Sequence, residues 1–257
     1  MTTTQPDYQT TAANLSDPTI QSYRTRGFVH VPGIISKQEA AEFCAEASTL
    51  PDRVDAFSNT RVFTQLVNVW RHSEIMKRLT LHPNVGAIAA KLAGMPMRLW
   101  HDHILIKQPH NEVPTEFHQD RPYWPFVAAR HTLSAWIALV DVPVERGCMT
   151  FIPGSQQYDH LRPQDLRNAR DFLSLAPDLI WTQRVTVPLR AGDCTFHNGL
   201  CAHMATPNFT DDPRVAHVVI FMDAEATYNG NRHPVTDPLH LAEGQALDGE
   251  MFPRVSE

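Results

Sequence analysis

Residues 116–126 read EFHQDRPYWPF and set an imidazole, His118, two positions from a carboxylate, Asp120. On a strand, side chains i and i+2 project to one face about 7 Å apart, so this couple can converge on one metal ion. Two histidines and a carboxylate on one face of an octahedron leave three open positions, a ligand set suited to non-haem Fe(II) oxygen chemistry. With 14 His and 28 acidic residues in 257, chance alone yields one or two His-x-Asp/Glu triplets, so context has to decide. Another triplet, His110-Asn-Glu112, lies between Pro109 and Pro114, where no strand is expected and the side chains splay into solvent. His118 and Asp120 instead precede Tyr123, Trp124 and Phe126, whose rings, set among prolines, suit the lip of a substrate pocket.

A third ligand has to come from another segment. AGDCTFHNGLCAHMATPNFTDDPRVAHVVIFM, residues 191–222, offers His197, His203 and His217. The turn at Ala191–Asp193 is expected to feed one strand with His197 at its start and His203 at its far end. Arg214 follows His203 by eleven residues, a spacing that suits a hairpin-like return and brings a guanidinium toward the metal. A dicarboxylate that chelates a metal at one end needs such a planar fork for its far carboxylate. In LWHDHILIK, His101 and His103 share a strand face opposite Asp102, and are expected to line the pocket or hydrogen-bond within it rather than ligate.

The elements that position these groups divide the chain. Residues 1–16 are rich in Thr, Gln and Asn and read as a mobile arm; residues 17–257 read as one domain. SDPTIQSYRTRG has Ser16 or Asp17 to cap a helix, Pro18 in its first turn and Gly27 to stop it. FVHVPGII suggests a short strand. Ser36 and Glu39 form a capping box opening an Ala/Glu-rich helix, and 73–81 and 84–94 suggest a helix pair. From Met97 onward, short segments rich in Val, Ile, Thr and aromatics are punctuated by Gly, Pro, Asp and Asn, the spacing of a β-sandwich or barrel. Residues 161–179 interrupt this run as a helical or loop insertion.

Composition narrows the partners. The net charge is −6 and no Lys/Arg run occurs, which disfavours nucleic acid and anionic membranes. No apolar stretch approaches the length of a membrane span, and the first fifteen residues lack the pattern of a secretory signal. Four scattered cysteines form neither a disulfide framework nor a CxxC site, so a reducing cytoplasm is the expectation. Oligomeric state is not legible.

The motifs together resemble the phytanoyl-CoA dioxygenase family of Fe(II)- and 2-oxoglutarate-dependent oxygenases. The resemblance runs from about residue 20 onward through SYRTRGFVHVPGIIS, LAGMPMRLWHDHILIKQP, FHQDRPYWP, TLSAWIALVDVPVERGCMTFIPGSQ and GDCTFHNGLCAHMATPN…R. It implies an α+β fold: a double-stranded β-helix, or jelly roll, with N-terminal helices packed on one sheet. It implies iron held by His118, Asp120 and His203, with His197 and Asn208 supporting the ligands. Arg214 takes the place of the arginine that grips 2-oxoglutarate, and Lys107, Gln119, Thr132 and Trp136 match positions around that co-substrate. Tyr123, Trp124, Phe126 and His103 are then expected to form the substrate pocket. Ala205 departs from the pattern, since many members carry Ser there; Thr132 is the expected substitute hydroxyl. The implied reaction consumes dioxygen, with ascorbate as reductant, and hydroxylates, desaturates or cyclises a small or medium-sized molecule such as a secondary metabolite or modified amino acid. Halogenases of this type have Ala or Gly where Asp120 stands. Two other readings fit the residues less well: a cupin-like metalloenzyme without 2-oxoglutarate, which leaves Arg214 idle, and a non-catalytic small-ligand-binding β-sandwich.

Overall fold

Local chemistry sets each N-terminal element. In the computed structural model, which describes residues 9–255 apart from 56, 57, 60, 61, 128 and 167, helix α1 spans Asp17–Arg26. The Ser16 side chain accepts from the Thr19 amide, and Gly27 ends the helix at φ 82°, a left-handed conformation natural to glycine. Helix α2 (Lys37–Thr49) opens with the expected Ser36/Glu39 capping box. Ser73 caps α3 (Glu74–Thr80), and α4 (Pro83–Ala93) stops at left-handed Gly94. A fifth short helix, α5 (Asp171–Leu175), lies in the 161–179 insertion.

The strands are β1 (Phe28–Val31), β2 (Ser58–Asn59), β3 (Thr64–Val67), β4 (Met97–Lys107), β5 (Thr115–His118), β6 (Phe126–Val127) and β7 (Thr132–Ala138). They continue as β8 (Met149–Phe151), β9 (Val185–Val187), β10 (Cys194–Asn198), β11 (His203–Ala205), β12 (Arg214–Asp223) and β13 (Thr227–Tyr228). The major sheet runs β1-β10-β7-β12-β4-β3-β2 and the minor sheet β5-β11-β8-β9, with β13-β6 as a separate ribbon. Neighbouring strands pair antiparallel in all three. This is a jelly-roll arrangement whose sheets stay open.

Strand alternation splits the core in two. Along β12, Val215, Val219 and Phe221 join Leu79, Val85, Ile88 and Leu92 of α3 and α4 on the outer face of the major sheet. Ala216, Val218, Ile220 and Met222 face inward with Trp136, Phe151 and Met149 between the sheets. The helices therefore support the sheet from behind while its inner face builds a cavity.

Two connections differ from the sequence expectation. His197 and His203 do not share one strand: β10 ends at Asn198, the chain turns through 199–202, and His203 opens β11 in the other sheet. Asn198 forms the turn, its side-chain oxygen accepting from the Leu200 amide and its carbonyl from Cys201. Gly199 is required there, because a Cβ would lie 2.5 Å from Thr132 Oγ1 and 2.9 Å from the Trp124 ring. Nor do His203 and Arg214 form a hairpin. The chain crosses back, and β12 enters the major sheet between β7 and β4. Asn208 shapes this crossing: its amide donates to the carbonyls of Lys107, Gln108 and Asp212, and its oxygen accepts from Thr210.

Behind the sheet, β4 is tied to the helices by one buried carboxylate. Asp102 Oδ2 accepts from the Trp70 amide at 3.0 Å and from Thr80 Oγ1 at 2.6 Å, with His217 Nε2 3.7 Å away. Burial lifts the Asp102 pKa to about 7. The native state thus holds a proton that the unfolded chain, with an ordinary aspartate, releases at lower pH, so this group's contribution to stability falls as pH rises toward 7. Urea unfolding between about pH 5 and about pH 8 is expected to show the wild type losing stability relative to Asp102→Asn as pH rises. A difference that stays constant over that window would remove Asp102 from this role.

Candidate metal centre and co-substrate cavity

β5 stops at His118. Asp120 has helical backbone angles (φ −76°, ψ −43°) and precedes a 3-10 turn, Arg121–Tyr123, started by Pro122. The candidate ligand couple is therefore a strand end plus a turn, where continuous strand had been expected. The residue between them is the clasp. Gln119 points away from the cavity, fully buried, and its amide donates to Leu200 O at 2.7 Å and Tyr158 O at 2.8 Å. The Arg121 amide donates to Gly199 O, so the turn bearing Asp120 is fastened directly to the crossover between His197 and His203.

The result is a tight cluster. Ligand atoms of His118, Asp120 and His203 all lie within 4.8 Å of one another. Asp120 Oδ1 is 3.5 Å from His118 Nε2 and 3.6 Å from His203 Nε2. Each imidazole donates its other nitrogen, Nδ1–H, to the carbonyl two residues back: Glu116 O at 2.7 Å and Cys201 O at 3.0 Å. A carbonyl can only accept, so both rings carry a proton on Nδ1 and turn Nε2 toward Asp120. That is the outer hydrogen bonding a metal-binding histidine needs. Burial by itself would raise the Asp120 pKa, yet His203, His118 and His197 outweigh it and hold the carboxyl well below its usual range. Burial holds His203 well below the usual histidine value. An ionised carboxylate beside a neutral imidazole is the state a divalent metal requires.

The second oxygen of Asp120 is restrained separately. Ser134 Oγ donates to Oδ2 at 3.0 Å, and His197 Nε2 stands 3.4 Å from the same atom. His197 is almost wholly buried and neither ring nitrogen makes a well-formed hydrogen bond. It packs against His203, ring centres 4.4 Å apart, beside the three-residue cluster.

The cluster opens on a cavity of about 390 Å³. Arg214 lines it and is 1% exposed, with its guanidinium over Trp136 at 5.3 Å. Its one hydrogen bond, from a terminal nitrogen to Leu105 O, is long at 3.3 Å, and Nε has no partner. Burial lowers its pKa only to about 10, so it stays a cation short of acceptors. A carboxylate is what such a group lacks.

The other predicted residues divide clearly. Tyr123, Trp124, Trp136, His103 and His197 line the cavity. Phe126 lies behind Trp124, stacked on it at 5.7 Å, within the inner core. Lys107 pairs with Arg214 in register, but its ammonium donates to Val113 O and Thr206 O, and burial beside Arg214 presses its pKa to about 7. Gln119, Lys107, Thr132 and Asn208 are not among the cavity-lining residues. His110 and Glu112 stay apart from the cluster, His110 pairing at the surface with Asp211.

Three polar groups at or beside the site escaped the sequence reading: Ser134, Thr115 and His233. Ser134 shares a face of β7 with Trp136, an i,i+2 signal in TLSAWIA that could have found it. Thr115 lies opposite Ala205 in the β5–β11 pairing and brings a hydroxyl to the cavity beside Ala205, the place assigned from sequence to Thr132. His233 arrives from the C-terminal segment, with no local motif to mark it.

Ser134→Ala is expected to leave the fold intact and weaken Co(II) binding, a redox-stable stand-in, by roughly 10-fold, the usual cost of losing an outer partner of a metal ligand. Calorimetric titration checks this; unchanged affinity would mean that the Oδ2 restraint is idle.

Comparison with known proteins agrees with this geometry. Residues 23–216 match the phytanoyl-CoA dioxygenase (PhyH) family. Phytanoyl-CoA dioxygenase domain-containing protein 1 of Mus musculus is 29% identical over 161 residues, covering 61% of this chain; the chain spans about half, 55%, of that relative's length. The crystal structure of the non-haem α-ketoglutarate-dependent carbocyclase SnoK from nogalamycin biosynthesis is 38% identical, covers 98% of this chain and 100% of its own, and superposes with a TM-score of 0.86. The epimerase SnoN, solved with Fe3+, α-ketoglutarate and nogalamycin RO, is 39% identical over 93% of this chain and 98% of its own, with a TM-score of 0.81. The chain belongs to the phytanoyl-CoA dioxygenase family of iron- and 2-oxoglutarate-dependent enzymes.

Proposed function

We propose that the protein oxidises an aliphatic C–H position of a medium-sized secondary metabolite, using iron held by His118, Asp120 and His203 and 2-oxoglutarate held by Arg214. The observation that carries this reading is the shared cavity: three converging ligand atoms and an acceptor-poor buried guanidinium open on the same space. When bound, iron and 2-oxoglutarate supply the oxidation, in which dioxygen is consumed, 2-oxoglutarate becomes succinate and carbon dioxide, and hydrogen leaves the substrate carbon. The chain's own residues orient and protect. Trp136 fixes the plane of Arg214, Thr115 offers a hydroxyl beside it, and Ser134 with His197 keeps Asp120 turned so that Oδ1 faces both imidazoles. Tyr123, whose hydroxyl donates to Gln164 O, and Trp124 wall the substrate side and exclude water.

An acyl-CoA is disfavoured as substrate, because Arg214 is the one cation among the described residues lining the cavity and several phosphates would need partners. The similarity to SnoK and SnoN over nearly their whole lengths supports a biosynthetic small molecule and extends the outcome beyond hydroxylation to ring closure or epimerisation. Asp120 speaks against halogenation, since it fills the position a halide would need. Ascorbate serves as the reductant that keeps iron ferrous, and the four free cysteines fit a reducing cytoplasm. No helix among the described residues is long and apolar enough to cross a membrane.

Succinate release in the presence of Fe(II), ascorbate and 2-oxoglutarate is the expected activity, stimulated by the correct metabolite. Product mass then separates the outcomes: gain of one oxygen for hydroxylation, loss of two hydrogens for ring closure, no change for epimerisation. Iron binding without 2-oxoglutarate turnover across a broad metabolite panel would overturn the proposal. Arg214→Ala is expected to raise the 2-oxoglutarate Kd by about 10- to 100-fold, the loss of a charge-assisted fork, while iron affinity stays near wild type. Equal co-substrate affinity in calorimetry would take Arg214 out of that role.

A further inference from the structure

A third pair of imidazoles lines the cavity, contributed by His101 of β4 and His233 of the C-terminal segment, ring centres 6.2 Å apart. Their protonation patterns are opposite and both are dictated by backbone. His101 Nδ1 lies 3.2 Å from its neighbour's carbonyl, Asp102 O, which can only accept; Nδ1 therefore carries the proton and Nε2 is left as a bare acceptor. At His233, Nδ1 receives the Val235 amide at 3.2 Å, so Nδ1 is the acceptor and Nε2 carries the proton. Neither Nε2 has a partner among the described residues. Beside His101, His103 shares the cavity face of β4, and its buried Nδ1 is also unpartnered.

We infer that His101 and His233 form a matched acceptor–donor pair that selects a substrate carrying hydroxyl groups: His101 Nε2 accepts a hydroxyl proton and His233 Nε2–H donates to an oxygen. This inference rests on the proposed function only in taking the cavity as the substrate's place. The ligand class follows from charge as well as geometry. Burial holds His101 well below the usual histidine range and presses His103 and His233 to about 4. At neutral pH this part of the wall is uncharged, and Arg214 is the cation of the cavity. An ionised carboxylate has no proton to offer and leaves His101 Nε2 without a partner, whereas a neutral hydroxyl, both donor and acceptor, satisfies both rings. Trp124 and Tyr123 supply flat apolar surface for the rest of such a molecule. The expected occupant is a neutral ring system bearing hydroxyls, seated so that another of its carbons faces the iron ligands.

Two measurements test this without turnover. Long-range 1H–15N spectra of the full chain at neutral pH are expected to show His101 as the Nδ1–H tautomer and His233 as the Nε2–H tautomer. Either ring in the opposite form, or cationic, overturns the inference. Fluorescence titration compares 2,6-dihydroxynaphthalene with 2,6-dimethoxynaphthalene, which can accept but not donate. The dihydroxy probe is expected to bind about 10-fold tighter to the wild type, the worth of one buried neutral hydrogen bond donated to His101. His101→Phe is expected to shrink that preference to about two-fold or less. Equal affinities in the wild type, no saturable binding of the dihydroxy probe, or a preference undiminished in a folded His101→Phe variant would each overturn it. Absence of succinate release would count against the oxygenase reading and leave these results unaffected, so the two failures are distinguishable.

Discussion

The site depends on a carboxylate that is largely removed from water yet must stay ionised. Asp120 is surrounded by three imidazoles and a serine hydroxyl, and it can keep its charge there only because each of its oxygens faces hydrogen-bonding groups. That requirement sets conditions well beyond one residue. Two strands of the minor sheet have to present His118 and His203 at the same height, and they do so as directly paired residues of β5 and β11. Two strands of the major sheet have to bring Ser134 and His197 from the opposite side, and they too are paired, across β7 and β10. The site is thus a junction of two sheets, each contributing one cross-strand pair.

Backbone carbonyls and amides decide what the imidazoles can do. In His118 and His203 the carbonyl two residues back takes the Nδ1 proton and frees Nε2 for a cation. In His101 a carbonyl has the same effect, and in His233 an amide reverses it. Four chemically identical side chains thereby acquire distinct duties through single hydrogen bonds with the main chain. His197 differs: among the described residues neither of its nitrogens is hydrogen-bonded by the backbone, and it stands against Asp120.

Much of this was legible in the sequence, and the gaps have physical reasons. Caps at Ser16 and Ser36 and stops at Gly27 and Gly94 mark their helices because those residues satisfy orphan backbone groups locally. The spacing of His118 and Asp120 was readable, but not that the strand ends between them, since Pro122 acts downstream and the clasp on Gln119 comes from Leu200 and Tyr158. The separate strands of His197 and His203 were hidden for a similar reason. Five residues between two histidines suit one strand or a crossover equally, and it is the crowding around Gly199 that decides. Lys107 shows a different limit. A lysine beside a co-substrate arginine looks like a second cation for the ligand, yet two carbonyls of neighbouring loops had already claimed its ammonium.

The pairing of β4 with β12 skips one residue, so that Trp100 and His101 both contribute to the inner side of the sheet while Leu99 and Asp102 face the helices. Such a bulge re-aims the side chains on either side of it. Deleting the extra residue would shift one half of the strand by a residue against the other and turn its side chains to the opposite face, while His103 keeps its place. One extra amino acid thus sets which rings line this part of the cavity, at a distance from the His118–Asp120–His203 cluster.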